Sequence, residues 1–197
     1  TITATDDDGN FSACSFDLIV VDNTNPTITT CAPDDTILVD DDCEVALPNY
    51  TSLIVASDNC DTDLTITQVP APGSNFSGHG TEVNVTITVT DDNGNSDSCS
   101  FDITLVDDID PTISCQPTMI QTADAGNCNA DVTVVAPAVD DNCAVASVVN
   151  DFNMTDDASG VYPVGTTTFV WTVTDVAGNA VSCSQDITIT DNELPTL

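Results

Sequence analysis

"TVTDDNGNSDSCSFDITLVDDIDPTISC", residues 88–115, reads as a turn with a β-strand on either side. Leading into it, Val83, Val85, Ile87 and Val89 alternate with Asn84, Thr86 and Thr88; beyond it, Cys99, Phe101, Ile103 and Leu105 alternate with Ser100, Asp102 and Thr104. A period of two turns one face of each strand toward a core. Between them "DDNGN" carries an Asn-Gly pair, the usual signal of a tight hairpin. The phrase occurs twice more, as "TATDDDGNFSACSFDLIVVDNTNPTITTC" (3–31) and "TVTDVAGNAVSCSQDITITDNELPTL" (172–197). Phe169, Trp171 and Val173 lead into the last copy, and Cys183, Ile187 and Ile189 follow its turn. No window carries a helical stripe, so the chain is expected to be all-β.

The copies give a period. Cys14, Cys99 and Cys183 recur at spacings of 85 and 84 residues, as do Pro26, Pro111 and Pro195; Cys43 and Cys128 are 85 apart, Cys60 and Cys143 are 83 apart. Solenoid and propeller repeats are shorter, about 20–50 residues; a period near 84 suits a small β-sandwich, which runs to about 100. The expected domains are 1–25, the C-terminal part of a preceding repeat; 26–110 and 111–194, two full repeats; and 195–197, the start of another. Because Thr1 falls inside a repeated phrase, the chain is expected to be a segment of a longer protein.

Composition narrows the function. The 197 residues hold 33 acidic side chains, one His and no Lys or Arg, a net charge of −33. Nucleic acid is excluded as a partner, because phosphate binding needs cationic side chains. Self-repulsion on this scale opposes compaction, and multivalent cations are the obvious means of neutralising it. A hydrophobic fraction of 41%, rich in Val, Ile and Thr, is enough for a β core. Nine cysteines without a CxxC pair point to disulfides in an oxidising compartment rather than to zinc. The lone His79 has no catalytic motif around it, and no pair among so many carboxylates stands out as an acid and base, so an enzyme is not expected.

"VYPVGTTTFVWTVTDVAGNAVSCSQDITITD" (161–191) resembles the hallmark of HYR (hyalin repeat) domains, "DIDPTISCQP" (108–117) resembles their opening, and "AVDDNCAV" (138–145) is similar to their middle segment. The first full repeat departs at "SGHGTEV" (77–83). The resemblance implies tandem immunoglobulin-like β-sandwich repeats in a linear array, placed extracellularly or at the cell surface, with adhesive or spacing roles. In that topology Cys31 is expected to pair with Cys99 and Cys115 with Cys183. Cys43 with Cys60 and Cys128 with Cys143 would then close shorter loops, although four cysteines allow three connectivities. Cys14 is left over.

In the same topology three acidic segments gather at one end of each repeat. For the second full repeat these bring Asp107, Asp108 and Asp110 from the linker, Asp140, Asp141 and Asn142 from the middle loop, and Asp175 and Asn179 from the hairpin. For the first they bring Asp22, Asn23 and Asn25 with Asp58, Asn59, Asp91 and Asn95. Six to eight oxygens suit Ca²⁺ better than Mg²⁺. The bland alternative is that Asp and Asn serve turns and solubility. The expected function is a structural and adhesive module of a long extracellular filament or cell-surface stalk, stiffened by disulfides and inter-domain Ca²⁺; the alternative is a non-catalytic spacer in a large secreted enzyme. Expected partners are further copies of the repeat in cis and other chains of a filament.

Overall fold

The computed structural model describes residues 1–195; of the expected start of a further repeat, Thr196 and Leu197 lie outside the described residues. Strands dominate, and the only helical element among the described residues is the short 3₁₀ turn Thr51–Leu53. The chain forms two compact units that interleave in sequence: one from Thr1–Ala32, Tyr50–Val69 and Thr86–Ser100, the other from Pro33–Asn49, Pro70–Val85 and the chain from Phe101 onward.

In the first unit Ile2–Thr5 pairs antiparallel with Phe11–Cys14, and Thr27–Thr30 with Val55–Ser57. Thr65–Val69 pairs antiparallel with the end of Glu82–Thr90, from Thr65 opposite Thr90 to Val69 opposite Thr86. Cys31 is bonded to Cys99, and the Asp97 carboxylate accepts the Ile28 N–H at 3.0 Å, so side chain and disulfide both fasten the opening strand.

The second unit holds a complete sandwich. Thr112–Ser114 pairs with Ala138–Asp140, and Asn129–Val132 with Gly160–Pro163, both antiparallel. A four-stranded sheet runs in the order Met119–Thr122, Ala180–Thr190, Gly165–Asp175, Val145–Asn150, its first pair parallel. The first repeat has the same scheme: Asp35–Leu38 lies parallel to Ser96–Val106, and Glu44–Ala46 pairs antiparallel with Asn75–Ser77. These are tandem immunoglobulin-like β-sandwich repeats. The departure at residues 77–83 does not alter the scheme, since the Gly78 N–H bonds the Cys43 carbonyl as the Val164 N–H bonds that of Cys128.

Period-two alternation becomes burial. Val85, Ile87, Val89, Ile103 and Leu105 are fully buried, and so are Trp171, Val173 and Ile187. In the second repeat Ala130, Val132, Tyr162, Phe169, Trp171, Ile187 and Ile189 form one core, with Cys115 and Cys183 packed against it and bonded to each other. Phe169 meets Trp171 edge-on at 5.9 Å, Tyr162 donates to the Ala158 carbonyl at 2.6 Å, and Trp171 Nε1 donates to Gln185 Oε1 at 3.0 Å.

The hairpin is tight, as expected: the Asp91 N–H bonds the Asn95 carbonyl and the Gly94 N–H bonds the Asp91 carbonyl, leaving three residues in the loop. Gly94 and Gly178 sit at φ +89° and +95°, the left-handed position such loops require. The acid side chain sets this geometry, because Asp91 Oδ1 collects the N–H groups of Asn93 and Asn95.

The disulfide pattern departs from expectation. Cys43 is bonded to Cys143, 100 residues away, and not to Cys60; Cys128 is therefore not bonded to Cys143. Cys14, Cys60 and Cys128 are unpaired and exposed. The reason is local. Asn142 Nδ2 donates to the Asp40 carbonyl at 3.0 Å, which seats the middle loop of the second repeat on the turn Asp40–Glu44 and puts the Cys43 and Cys143 Cα atoms 4.9 Å apart. That separation is within the range a disulfide spans.

Replacing Trp171 with Phe should cost about 1–3 kcal/mol by stranding buried Gln185, and replacing it with Ala about 3–5 kcal/mol by adding a cavity. Equilibrium urea unfolding checks both; a shift under about 0.5 kcal/mol for Ala would contradict this core.

Candidate metal centre

Two triads of carboxylates form, one in each compact unit. Asp22, Asp58 and Asp91 bring carboxylate oxygens within 4.8 Å of one another, and so do Asp107, Asp141 and Asp175. The members correspond through the repeat: a linker Asp, a middle-loop Asp and a hairpin Asp.

Backbone amides orient each acid. In the second triad Asp141 Oδ2 accepts the N–H groups of Cys143 and Ala144 at 2.9 and 2.8 Å. Asp107 Oδ1 accepts the Ile109 N–H at 3.1 Å and Asn142 Nδ2 at 3.2 Å. Asp175 Oδ1 takes the N–H groups of Gly178 and Asn179, and its Oδ2 takes Asn179 Nδ2 at 2.8 Å. The same Asn179 amide donates to the Asp107 carbonyl at 3.3 Å, tying linker to hairpin. In the first triad Asn95 Nδ2 does the same for Asp91 and the Asp22 carbonyl, and Asp58 Oδ1 holds the N–H groups of Cys60 and Asp61.

Each arrangement leaves oxygens over. Asp107 Oδ2, Asp141 Oδ1 and Asn142 Oδ1 are buried without a hydrogen-bond partner, as is Asp58 Oδ2 in the first triad. Asp107 and Asp175 are only 3% and 2% exposed. The chain has no Lys or Arg with which to pair them. Two unit charges 4.8 Å apart repel by about 3–4 kcal/mol at an effective dielectric of about 20. Three such pairs rival the 5–15 kcal/mol that typically holds a whole domain folded. A hard divalent cation among these oxygens turns that repulsion into attraction, and an all-oxygen donor set fits Ca²⁺.

The remaining candidates divide into supports and bystanders. Asn95, Asn142 and Asn179 act as amide donors to the triads, and Asn142 also offers its orphaned oxygen. Asn59 donates to Cys60 Sγ. Asp108, Asn23 and Asn25 are exposed and belong to neither triad. Asp110 and Asp140, with Asp41, line an adjoining concavity of about 200 Å³. His79, which has no motif around it in the sequence, is exposed, yet its Nδ1 accepts the Asp107 N–H at 3.1 Å and so positions a triad member. Nothing in its Gly-rich context signals that role.

Titration follows from the same contacts. Burial raises the Asp175 pKa, but hydrogen bonds from the Asn179 side chain and backbone and from the Gly178 N–H outweigh it, leaving the carboxyl below its ordinary 3.8. The backbone N–H groups of Cys60 and Asp61 likewise hold Asp58 low. The Cys60 thiol is pushed up, by burial first and then by the charge on Asp22.

The HYR domain family matches the chain twice, over residues 21–105 and 106–189. The chain belongs to the HYR domain family. Hyalin of Strongylocentrotus purpuratus is 30% identical over 193 residues, 95% of this chain; the chain spans 16% of that protein's length. Among solved structures, mouse cadherin-23 EC22–24 is 13% identical with a TM-score of 0.43, covering 87% of this chain and 66% of that one. Drosophila N-cadherin EC1–4 is 12% identical with a TM-score of 0.43, covering 85% and 50%. The HYR pair is a non-catalytic module of tandem repeats.

Asn179→Ala should destabilise the metal-free protein by about 1.5–3 kcal/mol at pH 7, the range for hydrogen bonds to a charged group. A carboxyl whose folded pKa is depressed contributes stability above its unfolded pKa and loses it as pH falls through the folded value. The difference between Asn179→Ala and the parent should therefore be full at neutral pH and fade below about pH 3.8. Denaturant melts across pH in the presence of chelator check this; a difference that grows toward acid would contradict the assignment.

Proposed function

We propose that this HYR pair is a structural link of a long extracellular filament or cell-surface stalk, held by disulfides and stiffened by Ca²⁺ in its two carboxylate triads. The observation that carries the reading is the orphaned pair Asp107 Oδ2 and Asp141 Oδ1: buried, unpartnered oxygens of two triad acids in a chain without a basic side chain. Unsatisfied buried polar atoms are costly, and a cation satisfies them together.

The ligands would be Asp107, Asp141 and Asp175 in one site and Asp22, Asp58 and Asp91 in the other, with Asn142 contributing an oxygen to the former. Each set takes one acid from the linker before Pro26 or Pro111, one from the middle loop and one from the hairpin, so the ion would clamp linker to domain. Short clamped linkers make a stiff array. Three disulfides within 195 described residues suit an oxidising, extracellular setting; among the described residues no helix is long and apolar enough to cross a membrane. Residues 1–25 would be the end of a preceding repeat, which accounts for the exposed apolar run Phe16, Leu18, Ile19, Val20 and Val21: it is the counterpart of a strand buried in the full repeats.

Calcium should raise thermal stability and chelation lower it. With free Ca²⁺ at about 100 times the dissociation constant, one site adds about 2.7 kcal/mol, roughly 10–20 °C in melting temperature for a domain of this size. Asp107→Asn should remove the response of the second repeat alone. Calorimetry with and without EDTA checks this, and melting curves indifferent to chelator would overturn it.

A further inference from the structure

We infer that Cys60 and Cys128 are halves of two further disulfides, each made with the neighbouring repeat of the array, so that every junction carries the bridge seen between Cys43 and Cys143. This rests on the tandem-array reading above and goes beyond it by giving the neighbours a covalent contact.

The argument is equivalence of position. Cys143 and Cys60 close the same loop. Asp141 Oδ2 accepts the Cys143 N–H at 2.9 Å and the Ala144 N–H at 2.8 Å; Asp58 Oδ1 accepts the Cys60 N–H at 2.9 Å and the Asp61 N–H at 3.0 Å. In both loops the preceding Asn directs its amide at the sulfur, Asn142 at Cys143 and Asn59 at Cys60. Cys43 and Cys128 in turn occupy the same turn. The Asp40 N–H bonds the Glu44 carbonyl at 2.9 Å, and the Asp124 N–H bonds the Asn129 carbonyl at 2.8 Å. The Cys43 and Cys128 carbonyls accept the Gly78 and Val164 N–H groups at 3.1 and 3.0 Å. The second turn is one residue longer, and its positive φ, +75°, falls on Gly126, two residues before Cys128, whereas in the first it falls on Cys43 itself at +58°.

The structure thus contains one complete bridge, turn cysteine of one repeat to middle-loop cysteine of the next, and one unused half at each side. Cys60 is a middle-loop cysteine whose partner would be the turn cysteine of the preceding repeat. Cys128 is a turn cysteine whose partner would be the middle-loop cysteine of the following one. Both are exposed, as a residue awaiting a neighbour must be. Each bridge joins two thiols into one S–S bond with loss of two protons and two electrons. The electrons pass to the disulfide of a thiol–disulfide oxidoreductase, which is reduced to a dithiol. Because the middle-loop cysteine lies two residues after a triad Asp, the bridge would hold a metal-ligand loop against the preceding repeat.

The test is disulfide mapping of the full-length protein as isolated. Free thiols are alkylated under denaturing conditions and the unreduced protein is cut at Asp and Glu, since trypsin has no site. Linked peptides are then read by mass spectrometry, with the 197-residue chain produced alone as reference. In the reference, Cys60 and Cys128 should label stoichiometrically; in the full-length protein the label should be lost at both. Each should be linked to a cysteine of the adjacent repeat of the same chain, alongside the Cys43–Cys143 link. Alkylated Cys60 or Cys128 in a protein that has such neighbouring repeats would overturn the bridge while leaving the array standing. A Cys43–Cys60 link, or links to other chains only, would overturn it as well. A full-length sequence without neighbouring repeats would overturn bridge and array together.

Discussion

Three carboxylates whose oxygens lie within 4.8 Å of one another, in a chain with no Lys or Arg, form the constraint around which each repeat is organised. Left alone they repel by an amount comparable with the stability of a small domain. The fold nonetheless invests in holding them together: backbone amides grip one oxygen of Asp58, Asp107 and Asp141, and paired asparagines grip Asp91 and Asp175. Grip of this kind favours the ionised form, and it holds the carboxyls of Asp58 and Asp175 below their ordinary value. The proposed divalent cation would reconcile the two facts.

The scaffold that presents the acids is ordinary by comparison. The linker Asp enters just before a strand-opening proline, the middle-loop Asp follows the partner strand of that opening, and the hairpin Asp ends the long strand that carries Trp171 or its counterpart Ile87 in the other repeat. A disulfide fastens the opening of each repeat to its last strand, Cys31 to Cys99 and Cys115 to Cys183. With only a thin aromatic complement, such cross-links contribute stability that the core cannot, about 4–4.5 kcal/mol in the chain-entropy account for loops of this length. The third bridge differs in kind. Cys43–Cys143 spans two repeats, so it restrains their connection and not the interior of either.

Much of this was legible in the sequence because it depends on local pattern. Alternation around residues 83–105 and 169–189 gave the strands, the spacing of Cys14, Cys99 and Cys183 gave the period, and Asp107, Asp141 and Asp175 lay within the expected end of the sandwich. What sequence could not resolve was set by tertiary placement. Asp110 and Asp140 are as acidic and as close in the chain as the triad members, yet Asp140, one residue before Asp141, and Asp110, three after Asp107, line a neighbouring concavity instead. Cys43 and Cys60 look like partners when each repeat is taken alone; only the seating of Asn142 on the Asp40 carbonyl brings Cys143 there instead. His79 carries no motif, because its task is a single bond to the Asp107 backbone.

The central claim is that a calcium ion sits in each triad, and locating the ion tests it most directly. Crystals grown in calcium, measured at a wavelength where calcium scatters anomalously, should show one peak within Asp22, Asp58 and Asp91 and one within Asp107, Asp141 and Asp175. The second peak should lie about 2.3–2.6 Å from Asp107 Oδ2 and Asp141 Oδ1. Triads without anomalous density in crystals saturated with calcium would contradict the account.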